Sequence, residues 1–344
     1  MIRRKFITDV SLFSVAGFAS ASTFHFRKYL YKDVIIGHGT HRYKVDMKWG
    51  ALDAVQYPVN DCHEMVQDSK GRIVLLTNHI QNNVIIYNKQ GKLQEVWGTN
   101  FPGAHGLTLH VEAGEDMLYI ADNERHEIIK TTIDGRVVQV FPAPLDSEFY
   151  ESVDQYVPTE TAIAKNGDIY VADGYGLQNI LHYNANGELL NVFGGKGDGD
   201  EYFDNAHGIC VDTRDGMESL LITARMQNRL KCFSMDGKFI SSTELPGAYI
   251  CRPVIHKDHV FLATIWSGDG RANTGFVSIL NRENKLISAP GGSKPIYENE
   301  KLRKQYQTLK IFQHPHDVCV DDEENLYVAQ WNAGKSYPIK LKRV

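Results

Sequence analysis

Short apolar segments recur along the chain at nearly even spacing, and most of them alternate apolar with polar residues. Alternation with a period of two predicts β-strands rather than helices. The most apolar of these segments occur six times, and two of them end in the pair Ala-Asp. The six segments are Arg72–Asn78, Met117–Asp122, Asp168–Asp173, Ser219–Ala224, His259–Thr264 and Asn325–Gln330.

Each of these strands is followed by another, and in five repeats a tight turn then leads to a further strand. The turns end at Gly91, Gly135, Gly187, Gly237 and Asn284, spaced 44, 52, 50 and 47 residues apart. Asp-Gly and Asn-Gly pairs supply the positive φ angles that tight hairpins need. A repeat of this length with four strands predicts an all-β fold, a six-bladed β-propeller.

The last repeat has only three strands before Val344, and an open ring would leave an unpaired strand edge. A spare strand, Arg42–Trp49, lies near the N-terminus. We predict that it forms the outermost strand of the sixth blade, so that residues 42–344 make a single propeller. Two stacked β domains are the alternative, which the even spacing disfavours. A short helix is predicted over residues 299–307.

The first residues have the pattern of an export signal. Arg3, Arg4 and Lys5 precede a short apolar run, and Ala19-Ser20-Ala21 offers a cleavage site. The run is too short to span a bilayer. The paired arginines predict twin-arginine export of residues 1–21, with 22–41 as an N-terminal extension and a periplasmic or extracellular location. An ordinary export signal or an uncleaved anchor is the alternative.

Composition narrows the classes of function. With 42% hydrophobic and 10% aromatic residues the chain is not of the disordered class. The net charge is −5, or −7 without residues 1–21, and no basic cluster is present, which disfavours nucleic acid as a partner. We expect a monomer with no stable membrane span after processing. Five cysteines without paired spacing predict buried free thiols rather than a disulfide framework.

Several of the 14 histidines fall at equivalent positions of the repeats. The first strand of each propeller blade lines the central channel. When the repeats are aligned on their second strands, blades one, two, three, four and six have His63, His105, Thr159, His207 and His316 at this position. Blade five is ambiguous, and the segment from Ile250 to Arg252 lies there.

His105, His207 and His316 lie on alternate blades, about 120° apart by symmetry. Three converging imidazoles with one open side are typical of a catalytic zinc site. Iron, copper and nickel also accept imidazole ligands. The alternative is that each histidine only hydrogen-bonds neighbouring backbone.

Two further residues are candidates for chemistry at the channel. Tyr175 follows Ala172-Asp173-Gly174 where a strand ends on the channel side, and a phenol near a cation can act as a base. Arg225 has the corresponding position in blade four and could bind a substrate carboxylate in bidentate fashion. The alternatives are a packed tyrosine and a solvated surface arginine.

Taken together, these residues resemble a known family. The repeats resemble NHL repeats, and the set of site residues resembles the peptidyl-α-hydroxyglycine α-amidating lyase domain over residues 42–344. The resemblance implies a six-bladed propeller with a channel zinc held by His105, His207 and His316. It also implies that Tyr175 is the base and that Arg225 is a conserved catalytic arginine.

The same resemblance implies a second, calcium-like metal site. Asp317 matches a calcium ligand of the family, and Leu107 and Met65 match ligands that bind through their backbone carbonyls. The chain departs from the family at Asn78, where the family has a second catalytic arginine, and at His314, where it has methionine. The family's blade-four disulfide is also missing. His63, His314 and Asn78 are therefore possible additional channel residues.

Three functions follow as hypotheses. The first is a metal-dependent lyase in which the metal binds the hydroxyl oxygen of a hydroxyglycine or carbinolamide-type substrate, a small molecule or a peptide. Tyr175 then takes the hydroxyl proton, and the C–N bond breaks. The second is a non-catalytic binding propeller for protein or glycan ligands, favoured if Tyr175 and Arg225 point away from the channel. The third is another propeller enzyme, such as a lactonase or a streptogramin-type lyase.

Overall fold

The computed structural model describes residues 34–344, and these form a six-bladed β-propeller. The first strand of each blade contacts the first strands of both neighbouring blades, so the ring is closed. The chain starts with β1 (Ile35–His38) and β2 (His41–Asp46), which belong to the last blade.

Blades one to three follow in chain order. Their strands are β3 (Cys62–Gln67), β4 (Ile73–Thr77), β5 (Val84–Tyr87) and β6 (Leu93–Trp97); β7 (Ala104–Glu112), β8 (Glu115–Asp122), β9 (Glu127–Thr132) and β10 (Val137–Pro142); and β11 (Glu160–Ile163), β12 (Ile169–Ala172), β13 (Asn179–Tyr183) and β14 (Leu189–Gly194).

Blades four to six complete the ring. Their strands are β15 (Ala206–Asp212), β16 (Ser219–Ala224), β17 (Arg229–Phe233) and β18 (Phe239–Glu244); β19 (Ala248–His256), β20 (His259–Ser267), β21 (Phe276–Leu280) and β22 (Leu286–Ser288); and, after the hairpin β23 (Tyr297–Glu298) and β24 (Lys301–Leu302), β25 (Pro315–Val320), β26 (Leu326–Gln330) and β27 (Ile339–Arg343). Helical structure within 34–344 consists of two 3-10 turns, Val153–Gln155 and Arg225–Gln227.

The N-terminal strand closes the last blade, as predicted. β2 pairs antiparallel with β27, with Val45 opposite Leu341. It is not the outermost strand, because β1 pairs along its other side and the sheet has five strands. The predicted boundary at residue 42 is therefore too late. Gly37 pairs with Arg42 and His38 with His41, and Gly39 and Thr40 form the turn of this hairpin.

The predicted turns between third and fourth strands are confirmed. Gly91, Gly135, Gly187 and Gly237 have φ between 81° and 91°, and Asn284 has φ 57°. The helix predicted over residues 299–307 is wrong. Asn299 and Glu300 both have positive φ and form the tight turn between β23 and β24, which a helix does not allow.

Apolar side chains fill the spaces between neighbouring blades. Val74 and Leu76 of blade one pack in one cluster with Leu118 and Ile120 of blade two. The last such cluster joins blades five and six to β1 and β2. Each fully buried aliphatic side chain contributes about 1.5–3 kcal/mol to stability. These contacts hold the first strands at fixed positions around the channel.

The cysteines form no disulfide within residues 34–344. All five cysteines lie in the described part of the chain and are free thiols; Cys210 and Cys232 are only partly buried. The predicted export segment 1–21 lies outside the described residues. Between residues 34 and 344, no helix has the length and apolar character needed to cross a membrane.

Candidate functional site

The channel residues of five blades occupy irregular positions in their first strands. The pairing register shifts between Cys62 and Glu64, Ala104 and Gly106, Ala206 and Ile209, Ile250 and Pro253, and Pro315 and Asp317. A β-bulge of this kind bends the strand and redirects a side chain. The residues in these bulges are His63, His105, His207 with Gly208, Cys251 with Arg252, and His316.

The three predicted metal ligands lie close together. The ring centroids of His105, His207 and His316 are 4.7–5.0 Å apart, and all three side chains are almost fully buried. His63 joins them, with its ring 4.9 Å from His105 and 4.8 Å from His316. The channel thus holds four imidazoles rather than three.

Backbone carbonyls orient two of these rings. The Nδ1 atom of His105 lies 2.8 Å from the carbonyl oxygen of Thr159, and Nδ1 of His316 lies 3.1 Å from that of His63. A carbonyl oxygen can only accept, so each Nδ1 carries the hydrogen and each Nε2 keeps a free electron pair. This arrangement is common for histidines that bind a metal through Nε2.

Burial keeps the four imidazoles uncharged. It lowers the pKa of His63 to about 3, and the pKa values of His105, His207 and His316 fall well below their usual range, also because neighbouring imidazoles or Arg225 disfavour a further positive charge. Neutral imidazole is the form that binds a divalent cation.

The donor set fits a transition metal. The ligand atoms of His63, His105 and His316 lie within 4.8 Å of one another, and so do those of His207, Cys251 and His316. Among the described residues, Nδ1 of His63 and Nδ1 of His207 have no hydrogen-bond partner although both are buried. Cys251 lies within the blade-five segment 250–252 that the sequence left ambiguous, because no histidine marks the channel position there.

Tyr175 and Arg225 point into the channel. The hydroxyl oxygen of Tyr175 is 3.1 Å from Nε2 of both His105 and His207, and Nη2 of Arg225 donates to it over 3.2 Å. The Arg225 guanidinium lies 5.8 Å from the Tyr175 ring and 5.5 Å from that of Trp266, and it is buried between them. This is the orientation that disfavours the binding propeller.

The turn after β12 holds Tyr175 in place. Asp173 accepts hydrogen bonds from the backbone nitrogens of Val157 and Leu177 at 2.6 and 2.7 Å, and from the hydroxyl of Tyr150 at 2.9 Å. A Cβ atom on Gly174 would lie 2.1 Å from the carbonyl oxygen of Ala206, the residue before His207. The Asp-Gly-Tyr sequence therefore packs the turn directly against the strand that carries a histidine.

A cavity of about 300 Å³ opens beside the imidazoles. Its lining residues include His63, Asn78, His105, Tyr175 and Trp331. Asn78 contributes a neutral amide whose oxygen accepts from the backbone nitrogen of Asp61 at 2.9 Å. Asn78 thus places an uncharged side chain where the family resemblance implies an arginine. The space is large enough for a small molecule or the end of a peptide.

His314 is held away from the imidazole group. Its Nε2 accepts from the backbone nitrogen of Asn273 at 3.0 Å, and its Nδ1 faces the carbonyl oxygen of Asn332 at 3.2 Å. Both ring nitrogens are engaged with backbone, so His314 is not available as a metal ligand.

A second layer of channel residues lies next to the imidazoles. In each blade it consists of the residue that comes directly after the channel residue in the sequence. These residues are Glu64, Gly106, Glu160, Gly208, Arg252 and Asp317. Glu64 and Glu160 were not predicted from the sequence, because each lies one residue after the position equivalent to the histidines. Arg252 was predicted only as one end of the ambiguous blade-five segment 250–252. This layer explains why three carboxylates occur near the axis.

The predicted calcium residues meet in this layer, but around a guanidinium group. Arg252 donates from Nη1 to the carbonyl oxygen of Leu107 at 2.6 Å and from Nη2 to that of Met65 at 3.0 Å. Its Nε and Nη2 also donate to the two carboxylate oxygens of Asp317, at 3.1 and 2.9 Å. The three residues are thus brought together, with Arg252 between them.

Two relatives with a known name belong by that name to the family that the site residues resemble. The protein named peptidyl-alpha-hydroxyglycine alpha-amidating lyase 1 of Drosophila melanogaster is 28% identical over 275 residues, which cover 70% of this chain and 45% of that protein. The chain is similar to amidating lyases. The protein named probable peptidyl-alpha-hydroxyglycine alpha-amidating lyase pgal-1 of Caenorhabditis elegans is 27% identical over 273 residues, covering 76% of this chain and 71% of that protein.

The resemblance predicted from the sequence is therefore confirmed, although the match spans less than half the length of the fruit-fly protein. No family model matches the chain. Among solved structures, a streptogramin B lyase superposes with a TM-score of 0.55 at 15% identity, covering 83% of this chain and 94% of that one. A gluconolactonase of Xanthomonas campestris superposes with a TM-score of 0.55 at 12% identity, covering 83% and 87%. Both support the propeller fold alone.

Proposed function

We propose that this chain is a metal-dependent lyase that cleaves the C–N bond of an α-hydroxyglycine or related carbinolamide. One observation carries the proposal. The Tyr175 hydroxyl lies 3.1 Å from the Nε2 atoms of two imidazoles and 3.2 Å from a buried guanidinium, at the edge of a cavity of substrate size. A base, a cation and candidate metal ligands therefore meet at one point.

The residues of the chain can move the proton that the reaction requires. In the substrate, R–CO–NH–CH(OH)–R′, Tyr175 in its phenolate form accepts the hydroxyl proton. The electron pair of the O–H bond then forms the C=O bond of an aldehyde, and the C–N bond breaks. The proton held by Tyr175 passes to the leaving nitrogen, which gives an amide and restores the phenolate.

Arg225 has two tasks in this scheme. Its guanidinium donates to the Tyr175 oxygen and so stabilises the phenolate. Its Nε is buried without a hydrogen-bond partner among the described residues, which leaves a donor for a substrate carboxylate. The rings of Tyr175 and Trp266 beside it fix the guanidinium plane.

His105, His207 and His316, whose ring centroids are 4.7–5.0 Å apart, would hold a divalent metal, zinc or another transition metal. His63 and Cys251 lie beside them and complete the two groups of close ligand atoms, His63 with His105 and His316, and Cys251 with His207 and His316. When bound, such an ion supplies Lewis acidity that favours ionisation of the substrate hydroxyl. The burial of these side chains limits the access of water to the reacting groups.

Metal analysis and a product assay test the proposal together. The purified protein is loaded with Zn²⁺, dialysed, and assayed for release of glyoxylate from an N-acyl-α-hydroxyglycine. We expect about one equivalent of bound metal and metal-dependent release of glyoxylate. The variant His207→Ala should lose both, whereas His314→Asn, which alters a histidine outside the ligand group, should bind metal like the unmodified protein.

Two results would count against the proposal. Less than about a tenth of an equivalent of metal in the loaded protein would remove the metal site itself. Full metal loading without product from any carbinolamide would leave a metal-binding propeller with another activity.

A further inference from the structure

Arg252 makes an unusually complete set of contacts at the centre of the ring. It comes from blade five, while its acceptors come from three other blades: Met65 in blade one, Leu107 in blade two and Asp317 in blade six. Two carbonyl oxygens and two carboxylate oxygens accept from its three nitrogen atoms at 2.6–3.1 Å. The planar fork of arginine suits such a set of acceptors.

Two further carboxyl groups surround the guanidinium. Glu64 Oε2 lies 3.4 Å from Nη1 of Arg252, and Glu160 Oε2 lies 3.8 Å from its Nε. All three acidic side chains are essentially inaccessible to solvent. Glu64 accepts from the backbone nitrogen of Leu107 at 2.7 Å, and Glu160 accepts from that of Thr161 at 2.8 Å. The cluster thus encloses a positive charge in a cage of oxygen atoms.

Glycines leave the room that the arginine needs. A Cβ atom on Gly208 would lie 2.5 Å from the Cα atom of Arg252. A Cβ atom on Gly106 would lie 2.9 Å from the Cα atom of Glu160 and 2.5 Å from the carbonyl oxygen of Thr159. The backbones of neighbouring blades can therefore approach this closely only because blades two and four have glycine, without a side chain, in this layer.

We propose that the guanidinium of Arg252 replaces the calcium ion that the family resemblance implies at Asp317, Leu107 and Met65. Oxygen atoms from carboxylates and backbone carbonyls are the ligands that Ca²⁺ prefers. Here they already neutralise and satisfy an internal cation, so the residues present do not fit an added calcium ion. In this role Arg252 holds the blades of the ring together, whichever reaction the channel supports.

The replacement has a measurable consequence. The thermal midpoint of the unmodified protein should be the same in EGTA and in millimolar Ca²⁺. The variant Arg252→Ala leaves buried carboxylates without their cation, so its midpoint in EGTA should fall by at least about 5 °C. Ca²⁺ should then bind the emptied cage and raise that midpoint by several degrees, with one equivalent bound in calorimetry.

Two variants serve as controls. Arg214→Ala removes another buried arginine, which pairs with Asp212 at 2.7 Å outside the channel, and Ca²⁺ should not restore its stability. Arg252→Lys keeps the charge with fewer directed donors, so it should lower the midpoint without creating a response to Ca²⁺.

Three outcomes would overturn the inference. The first is stoichiometric Ca²⁺ binding by the unmodified protein together with a higher thermal midpoint. The second is a folded Arg252→Ala variant that gives no response to Ca²⁺. The third outcome concerns the case in which Arg252→Ala does not fold in EGTA or in Ca²⁺. A thermal midpoint of Arg252→Lys that rises with Ca²⁺ would then show that the site needs a cation other than the side chain at position 252.

Discussion

Tyr175 is the residue at which the imidazoles, the guanidinium and the cavity of this site meet. Its hydroxyl is shared between His105, His207 and Arg225, which come from two blades of the ring. The side chain is 40% exposed, unlike the nearly inaccessible histidines, so the phenol sits between the cavity and the buried ligands. A tyrosine that served only for packing would not need three polar partners at its hydroxyl.

Replacement of this hydroxyl should separate catalysis from metal binding. In Tyr175→Phe, kcat should fall by about 10²–10⁴-fold because the general base is lost. Metal content should stay the same, since the imidazoles keep their orientation from Thr159 and His63. Tyr202→Phe, at a tyrosine in an exposed loop, is the matched control. Equal kcat values for the two variants would rule out the assigned role.

At the scale of elements, short irregular features position the chemistry on otherwise regular blades. Bulges in the first strands direct His63, His105, His207, Cys251 and His316 to the axis. The turn after β12 brings Tyr175 to the same place. Regular strands supply the rigid frame, and in five first strands a register shift coincides with a channel residue.

Gly174 tests the role of this turn. A methyl group at this position would lie 2.1 Å from the Ala206 carbonyl oxygen, so Gly174→Ala must push the turn away from β15. We expect kcat to fall at least about tenfold, since displacements of about 1 Å have effects of that order or larger. Gly199→Ala, whose methyl would meet only Tyr202, should be silent in the same assay. Equal rates for both glycine variants would show that the turn can adapt.

The regular elements were predictable from the sequence because their causes are local. Strand alternation and Asp-Gly turns depend on neighbouring residues, and the positive φ angles at Gly135 and Gly237 follow from them. The histidines could be aligned for the same reason. The helix predicted over residues 299–307 failed because Asn299 and Glu300 both adopt positive φ, which sequence periodicity does not report.

The features of the fold and the site that the sequence did not predict depend on contacts between residues far apart in the chain. Nothing near Arg252 in the sequence indicates that its acceptors are Met65, Leu107 and Asp317. Cys251 could not be singled out within the segment 250–252, because its blade has no histidine at the bulge. Strand β1 escaped notice because its pairing with β2 matters only when β2 is already held by β27.

For the whole molecule, closure of the ring rests on the five-stranded last blade. His41 starts β2 and packs edge-on against His259, 4.6 Å away, and near Phe261 of blade five. Burial lowers the pKa of His41 to about 4, and His259 and Arg343 add to this effect. The folded protein therefore holds this imidazole in its neutral form.

Acid should weaken the closed ring through this residue. Since the pKa of His41 is lower in the folded chain than the unfolded value of 6.5, unfolding takes up a proton between pH 6.5 and 4. The neutral His41 side chain therefore contributes about 1–3 kcal/mol to the free energy of unfolding. This contribution is fully present above pH 6.5 and is lost as the pH falls toward 4. In His41→Gln the thermal midpoint should fall less between pH 7 and 4.5 than in the unmodified protein. His79→Gln, in blade one, should keep the original slope; if His41→Gln keeps it too, another group causes the acid sensitivity.

The pairing of β2 with β27 also has a kinetic meaning. The Arg343 guanidinium donates to the Thr40 carbonyl oxygen across 303 residues of sequence. Hairpins within blades one to five can form while the chain is being synthesised, because their partners are near neighbours. The last blade has to wait for β27, and such distant contacts form slowly. We therefore expect the sixth blade to be the last part of a nascent chain to resist proteolysis.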